Sequence, residues 1–261
     1  MNTKKFQSII KDYYAKCGRH TLPWRQTCDP YEILVSEIML QQTQVSRVMT
    51  KYNEFLTLFP TAHDLAQAST ATVLKTWQGL GYNRRALNLK RAAETIVKNF
   101  GGKFPRTAEE LESLPGIGQS TRGAIMAFAF GIPTVFIETN IRAIYLHHFF
   151  PTQRNVHDRD ILPFIEKTLD TENPRDWYYA LMDYGVHLKQ TLPNPSRKSV
   201  HHTKQSSFKG SNREVRSRIL KFVLLKKRTR QEIVEHIGKT SYDVEKNIDD
   251  LVKEGFMKKP L

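Results

Sequence analysis

Two carboxylates stand where they could do chemistry. On a helical wheel Glu37 falls between Ile33, Leu34 and Leu40. A carboxyl on an apolar face is desolvated, which favours its neutral form. Held protonated near neutral pH, such a group is a general acid. Glu37 could equally be a buried carboxylate neutralised by an arginine, or lie on a helix face partly open to water. Glu138 follows the apolar run Val135-Phe136-Ile137 and precedes Thr139-Asn140, one of which should cap the next helix. A carboxylate there is favoured by the helix N-terminus whatever its role. Its functional reading is an anion facing a developing cation. An acid that helps a leaving group, opposite an anion that faces an oxocarbenium-like sugar, is the pairing that glycosidic cleavage needs.

A third element is Leu114-Pro115-Gly116-Ile117-Gly118-Gln119-Ser120-Thr121. Two glycines permit positive φ and close backbone approach. The free N–H groups of Gly116, Ile117, Gly118, Gln119, Ser120 and Thr121 then converge into an anion site suited to a DNA phosphate. Such a contact reads no base sequence. A plain helix-helix turn with a glycine cap is the alternative. Gln41-Gln42 and the loop Gly79-Leu80-Gly81-Tyr82 suit base extrusion, because an amide or aromatic wedge can fill the gap left by a flipped nucleotide. Tyr82 could instead be a core aromatic. His147-His148 and His201-His202 have no Asp, Glu or Cys at ligand spacing, so no metal site is assigned. Cys17 and Cys28 are too few for a four-cysteine zinc site or iron–sulfur cluster.

The elements that must position these residues read as helices almost throughout. Asp29-Pro30-Tyr31-Glu32 is a helix start, and the helix should run on through Leu40 toward Tyr52. Further helices are expected at residues 70–77, 84–100, 107–114, 119–130, 158–169 and 175–189. Residues 191–211 lose apolar periodicity and read as a basic linker or loop. Residues 212–225, 229–237 and 241–254 form a helix-turn-helix pattern in a second small domain. The expected division is therefore 1–190, 191–211 and 212–261. The 261 residues carry a net charge of +14 and a pI near 9.7, which points to a polyanionic partner. Nine of those fourteen charges come from residue 191 onward, where 17 Lys and Arg stand against 8 Asp and Glu. No bilayer-length apolar run or signal peptide is apparent, so a cytoplasmic, nucleoid-associated protein is expected.

In this order, Leu22-Pro23-Trp24-Arg25, Ser36 through Val45, Gly79-Leu80-Gly81-Tyr82 and Leu114 through Thr121 resemble the helix-hairpin-helix (HhH-GPD) DNA glycosylases, and within them the MutY-type adenine glycosylases. The resemblance covers about residues 10–190. It implies an all-α fold of two helical lobes, followed here by a small winged-helix-like domain. It matches Glu37 to the acid that protonates the base and Gln42 and Tyr82 to the wedge, beside Gln41. It also matches Trp24, Arg25 and Leu40 to the base pocket. The partner implied is duplex DNA containing a mismatch or lesion, bound by a monomer without contact to membranes. No cofactor is expected beyond a monovalent cation at the hairpin. Ser120 stands where bifunctional relatives such as endonuclease III carry a Schiff-base lysine. Serine cannot form one, so a monofunctional enzyme is expected.

Four departures bear on the substrate. The family's catalytic Asp is Glu138, one methylene longer, and the Gly beside it is Thr139. The cluster cysteines after Gly185 are absent, and the basic run Arg197 to Lys209 takes their place. Tyr179 occupies the position of a polar base reader. The Nudix-like domain that reads 8-oxoguanine is not found, and the short helical domain replaces it. Five acids (Asp243, Glu245, Asp249, Asp250 and Glu254) make its last helix a poor match to a phosphate-lined groove, which leaves Lys226, Lys227, Arg228 and Arg230 for backbone contact. The resulting expectation is a monofunctional glycosylase that removes adenine opposite guanine or 8-oxoguanine. A mismatch thymine, uracil or damaged-base glycosylase is the alternative within the class, and a non-catalytic DNA-binding regulator the alternative outside it.

Overall fold

A computed structural model of the chain describes residues 2–203 and 205–260, and among these it is all-helical. The only strand-like pairing in them is an isolated bridge between Val156 and Ser199. The helices are α1 (Thr3–Cys17), α2 (Pro30–Leu40), α3 (Val45–Leu58), α4 (Ala62–Gln67), α5 (Thr70–Thr76), α6 (Arg84–Phe100), α7 (Ala108–Ser113), α8 (Gln119–Phe130), α9 (Thr139–His148), α10 (Asp158–Thr168), α11 (Pro174–Thr191), α12 (Asn212–Leu225), α13 (Arg230–Ile237) and α14 (Val244–Lys253). No helix among the described residues is long and apolar enough to cross a membrane.

The chain forms two compact units, and neither is continuous in sequence. The first is Met1–Glu37 with Phe104–Lys204, and the second is Ile38–Lys103 with Gln205–Leu261. The linear division at 190 and 212 expected from composition is not how the chain packs. Composition registers where apolar periodicity stops, whereas the units are defined by contacts between segments far apart in sequence.

In the first unit the core is aromatic. Phe6 of α1 is fully buried and meets the rings of Tyr145, His148, Phe149 and Trp177. Large rings bury much apolar area, and edge-to-face pairs add directional preference. α9 and α11 pack very closely at Gly185: a Cβ there would lie 2.5 Å from the Asn140 carbonyl oxygen. Only glycine permits this approach. The basic stretch read as a linker is partly built into this unit. α11 continues to Thr191, a short 3-10 turn forms over Pro195–Lys198, and Ser196 and Ser199 are buried. The Lys198 ammonium donates to the carbonyls of Phe150 and Pro151 at 3.1 and 2.8 Å.

In the second unit α3 to α6 enclose Tyr52, Phe55, Leu65, Trp77 and Ile96, while α12 to α14 enclose Ile219, Ile233, Ile248 and Leu251. The carboxylate of Glu254 joins these two sets, taking Arg84 at 2.5 Å and Arg216 at 2.6 Å, and its carbonyl accepts from Arg91 at 3.1 Å. The winged-helix-like segment thus consists of three helices packed in the same unit as α6, with no strand among the described residues.

The single helix expected from Asp29 toward Tyr52 is broken. α2 stops at Leu40, Gln42 turns to φ +55, and α3 restarts at Val45. Four polar residues, Gln41-Gln42-Thr43-Gln44, stand at the break, but an apolar spacing of seven from Ile38 through Val45 to Tyr52 bridges them and lets the stretch read as one helix. What stabilises the break is a distant residue, Arg85 of α6.

Candidate functional site

The structure sorts the predicted residues into two sets. Trp24, Arg25, Glu37, Glu138, Tyr179 and the hairpin lie in the first unit, and Leu40, Gln41, Gln42 and Tyr82 in the second.

Glu37 projects from a helix whose residues Ile33, Leu34, Val35 and Ser36 are all buried. Asp29 starts that helix, its Oδ1 accepting from the N–H groups of Tyr31 and Glu32 at 2.8 and 3.0 Å. Protein encloses the Glu37 carboxyl on most sides, yet the residue keeps some solvent exposure. Burial, with a further push from Glu138, raises its pKa from an ordinary 4.5 to about 8, although Arg25 pulls the other way. Arg25 does not neutralise Glu37 by pairing with it. Both its Nη atoms go to Asp183, at 2.8 Å each. Asp183 also accepts from the backbone and side chain of Arg19, at 2.8 Å each. Burial alone would raise the Asp183 pKa, but these guanidinium partners outweigh it and hold the group below its ordinary value. Asp183 is therefore the counter-ion that takes up Arg25 and leaves Glu37 unpaired. Sequence reading missed it, because its partners lie some 160 residues away.

Glu138 has a different environment. The cap of α9 is Glu138 itself, not Thr139 or Asn140. Its Oε1 accepts from the N–H groups of Asn140 and Ile141 at 2.7 and 2.8 Å, and its Oε2 from the Asn140 amide at 3.2 Å. The Glu138 side chain curls back to its own helix, a capping geometry in which donors favour the charged form. The segment before it is fixed by Tyr178, which donates to the Thr134 carbonyl at 2.6 Å and stacks on Phe136 at 4.1 Å. Burial raises the Glu138 pKa, opposed by those two N–H groups, then by Lys189 and Arg142. Lys189 is a second residue that sequence reading missed. It lies one turn after Gly185, so the close approach of α11 to α9 brings it to face Glu138. Burial lowers its own pKa, and Glu138 raises it. The two carboxyls thus differ in donors: Glu138 has three, and Glu37 has none among the described residues. Burial pushes both upward, and only at Glu138 do donors favour the charged form.

Tyr179 and Trp24 are each only 3% exposed, so in this state they back the site and do not line open space. The Tyr179 ring stacks on Phe128 at 4.1 Å, the Arg25 guanidinium lies 4.4 Å from its centroid, and its hydroxyl donates to the Trp24 carbonyl at 3.3 Å. Its hydroxyl and both faces of its ring are thus engaged within the protein.

In the hairpin Gly116 takes φ +83, the left-handed value expected, but Gly118 is extended at φ −103. Gly118 instead caps α8, its carbonyl accepting from the Arg122 N–H at 2.9 Å. The N–H groups of Gly118, Gln119 and Ser120 have no acceptor among the described residues. Three outward N–H groups at the start of a twelve-residue helix suit an anion.

The second set is held by Arg85. Its Nη1 donates to the carbonyls of Ile38, Met39 and Gln41 at 2.7, 2.9 and 2.6 Å, satisfying the end of α2. Its Nη2 reaches Thr43 Oγ1 at 2.9 Å and the carbonyls of Leu80 and Gly81 at 3.2 and 3.1 Å. One guanidinium thereby holds both turns that carry the predicted wedge. Gln42 and Tyr82 adopt left-handed backbones, φ +55 and +49, and both are exposed. Such strain persists only where surrounding structure fixes it. Tyr82 is not a core aromatic.

Of the cations assigned to backbone contact in the C-terminal segment, two are occupied. Arg230 pairs with Glu245 and Asp249 of α14. Arg228 lies 4.0 Å from the Phe222 ring and pairs with Glu232 at 3.5 Å.

An all-helical fold with a glycine hairpin opening a helix, and a buried acid beside a capped carboxylate, is that of a helix-hairpin-helix protein of the base-excision type. Residues 35–164 match the HhH-GPD superfamily base excision DNA repair protein family, and the chain belongs to that superfamily. It is 35% identical over 190 residues to the adenine DNA glycosylase of Buchnera aphidicola subsp. Baizongia pistaciae, covering 71% of this chain and 53% of that protein. It is 31% identical over 187 residues to the thymine/uracil-DNA glycosylase of Pyrobaculum aerophilum, covering 69% of this chain and 81% of that protein. The solved structure of a thermostable thymine-DNA glycosylase superimposes with a TM-score of 0.66 at 26% identity, covering 76% of this chain and 92% of that one. The chain spans about half the length of the Buchnera adenine glycosylases it matches.

Proposed function

We propose that the protein is a monofunctional DNA glycosylase of base excision repair, hydrolysing the N-glycosidic bond of a base extruded from duplex DNA. The observation that carries this reading is the split between the two carboxyls: Glu37 raised to about 8 without a hydrogen-bonded counter-ion, Glu138 capped by two backbone N–H groups. Glu37 gives its proton to a ring nitrogen of the base as the C1′–N bond breaks and its electron pair leaves with the base. The Glu138 carboxylate faces the cationic sugar. Water adds to C1′ and loses a proton, leaving a free base and an abasic site. Ser120 offers no amine, so the strand stays intact. The amides of Gly118, Gln119 and Ser120 hold a phosphate. No iron–sulfur cluster takes part, and a monovalent cation at the hairpin is the one ion this reading admits. The protein works as a monomer on the nucleoid.

Adenine in a mispair with guanine or 8-oxoguanine is the favoured target, on the names of the relatives first matched. Mispaired thymine or uracil is the second reading, supported by the structural likeness to a thymine-DNA glycosylase and the greater share of the thymine/uracil relative that is covered. The test is a panel of duplexes with A opposite 8-oxoguanine, A·G, A·C, T·G, U·G and hypoxanthine, with abasic sites scored by alkali. Cleavage of one class after alkali is the expected result. Tight binding with no product on any duplex would favour a non-catalytic DNA-binding protein, and scission without alkali would overturn the monofunctional assignment.

A further inference from the structure

The second unit holds a groove of about 1060 Å³ that the chemistry above does not use. Its charged lining is five arginines, Arg47, Arg84, Arg85, Arg213 and Arg216, against one carboxylate, Glu254. Arg84 and Arg216 share that carboxylate, and Arg85 is spent on carbonyl oxygens. Arg47 and Arg213 have no carboxylate partner among the described residues. A concave surface with that imbalance fits a polyanion.

Tyr82 stands in the groove wall and is fixed at both ends. Arg85 holds the carbonyls of Leu80 and Gly81 below the left-handed backbone. The hydroxyl is met from the C-terminal segment by the Gln205 amide and by Arg213 at 3.2 Å. Gln205 also approaches Gln42 Oε1 at 3.5 Å. Arg213 is in turn anchored, donating to the Ser206 carbonyl at 2.8 Å.

We propose that the segment from Gln205 to Arg216 is a working wall of the DNA-engaging surface. Gln205 and Arg213 are positioning residues for the Tyr82 probe, and the groove beside them takes the sugar-phosphate backbone of one DNA strand. The reason is preorganisation: a probe already held in its strained turn loses less freedom when it enters the duplex. This rests on the base-excision reading, but its test needs no excision.

The experiment uses the full chain and a duplex carrying 2-aminopurine, whose fluorescence rises on unstacking, next to a tetrahydrofuran abasic analogue. Arg213→Ala should lower the extrusion equilibrium about tenfold, the effect of one charged hydrogen bond, and reduce the slope of log Kd against log salt by about one. Tyr82→Phe should lower extrusion similarly, and the double variant should be no worse than Tyr82→Phe alone. Gln205→Ala, which removes no anchor of the segment, should act in the same direction with a smaller effect and also vanish in the Tyr82→Phe background. Effects of Arg213→Ala and Tyr82→Phe that multiply, or an Arg213→Ala variant with unchanged extrusion and salt slope, would overturn the proposal. A protein that shows the coupling but excises nothing from the duplex panel would leave it standing and remove the glycosylase reading instead.

Discussion

The carboxylate site of the first unit and the two left-handed turns of the second use opposite devices. At Glu37 and Glu138 the backbone is ordinary and the electrostatics are unusual: burial pushes both pKa values up, and only Glu138 has hydrogen-bond donors that oppose it. At Gln42 and Tyr82 the backbone is unusual, left-handed at two residues with side chains, and the side chains are exposed. Arginine serves both, differently: Arg25 is paired by Asp183, whereas Arg85 shares the four N–H groups of its Nη atoms among six acceptors in two turns. The first device works through which partners a carboxyl lacks, and the second through what is tied down beneath a turn.

The largest expected effect separates the two devices. Glu37→Gln should lower the single-turnover excision rate by about 10²–10⁴, the range of general acid catalysis, while leaving 2-aminopurine extrusion intact. It should also stabilise the fold. The Glu37 pKa lies above its ordinary value, so ionising the carboxyl weakens the native state progressively as pH rises from about 4.5 to about 8. Melting should therefore show Glu37→Gln gaining over the parent, more at pH 9 than at pH 6. A variant with parental excision rates would remove Glu37 from the reaction.

Arg85→Ala should be the converse. Removing a largely buried guanidinium with six acceptors should cost about 3–5 kcal/mol in a denaturation experiment and abolish extrusion. A loss below 1 kcal/mol would mean that the two turns hold themselves.

The pH profile sharpens the carboxylate side. Excision should fall above about pH 8 as Glu37 loses its proton, and this limb should be absent from any residual activity of Glu37→Gln. The acidic limb reports Glu138. Lys189→Met removes a charge that opposes the effect of burial on Glu138, so that limb should move to higher pH, and Lys189→Arg should restore it. An acidic limb that does not respond would show Lys189 to be a packing residue only. The smallest effect should come from Arg230→Ala, whose partners are surface acids. Melting should change by less than about 2 °C, with extrusion and excision unchanged.

Much of this was legible in the chain before it was folded. α6, α8 and α11 follow from apolar periodicity, the hairpin from Pro115-Gly116-Ile117-Gly118, and Glu37 from its place among aliphatic neighbours. Those signals are local, with spacing of three, four or seven residues carrying them. Other features were misread or unseen. The break after Leu40 falls on the polar residues Gln41 to Gln44, which the seven-residue apolar spacing of Ile38, Val45 and Tyr52 bridges. Glu138 was read as preceding a cap when it is the cap, because Thr and Asn are the commoner capping types. Asp183, Lys189 and Arg85 carry no motif of their own.

The sequence by itself therefore determined most of the helices, the hairpin and the place of Glu37 among aliphatic neighbours, since these depend on residue type and short spacing. The tertiary structure decided which charges pair. It took Arg25 away from Glu37, set Lys189 against Glu138 where Gly185 lets two helices meet, and placed Arg85 beneath two turns. It also assembled two units from interleaved stretches of chain. Electrostatic partnership depends on distance in space, and partners more than a hundred residues apart leave no periodicity to read.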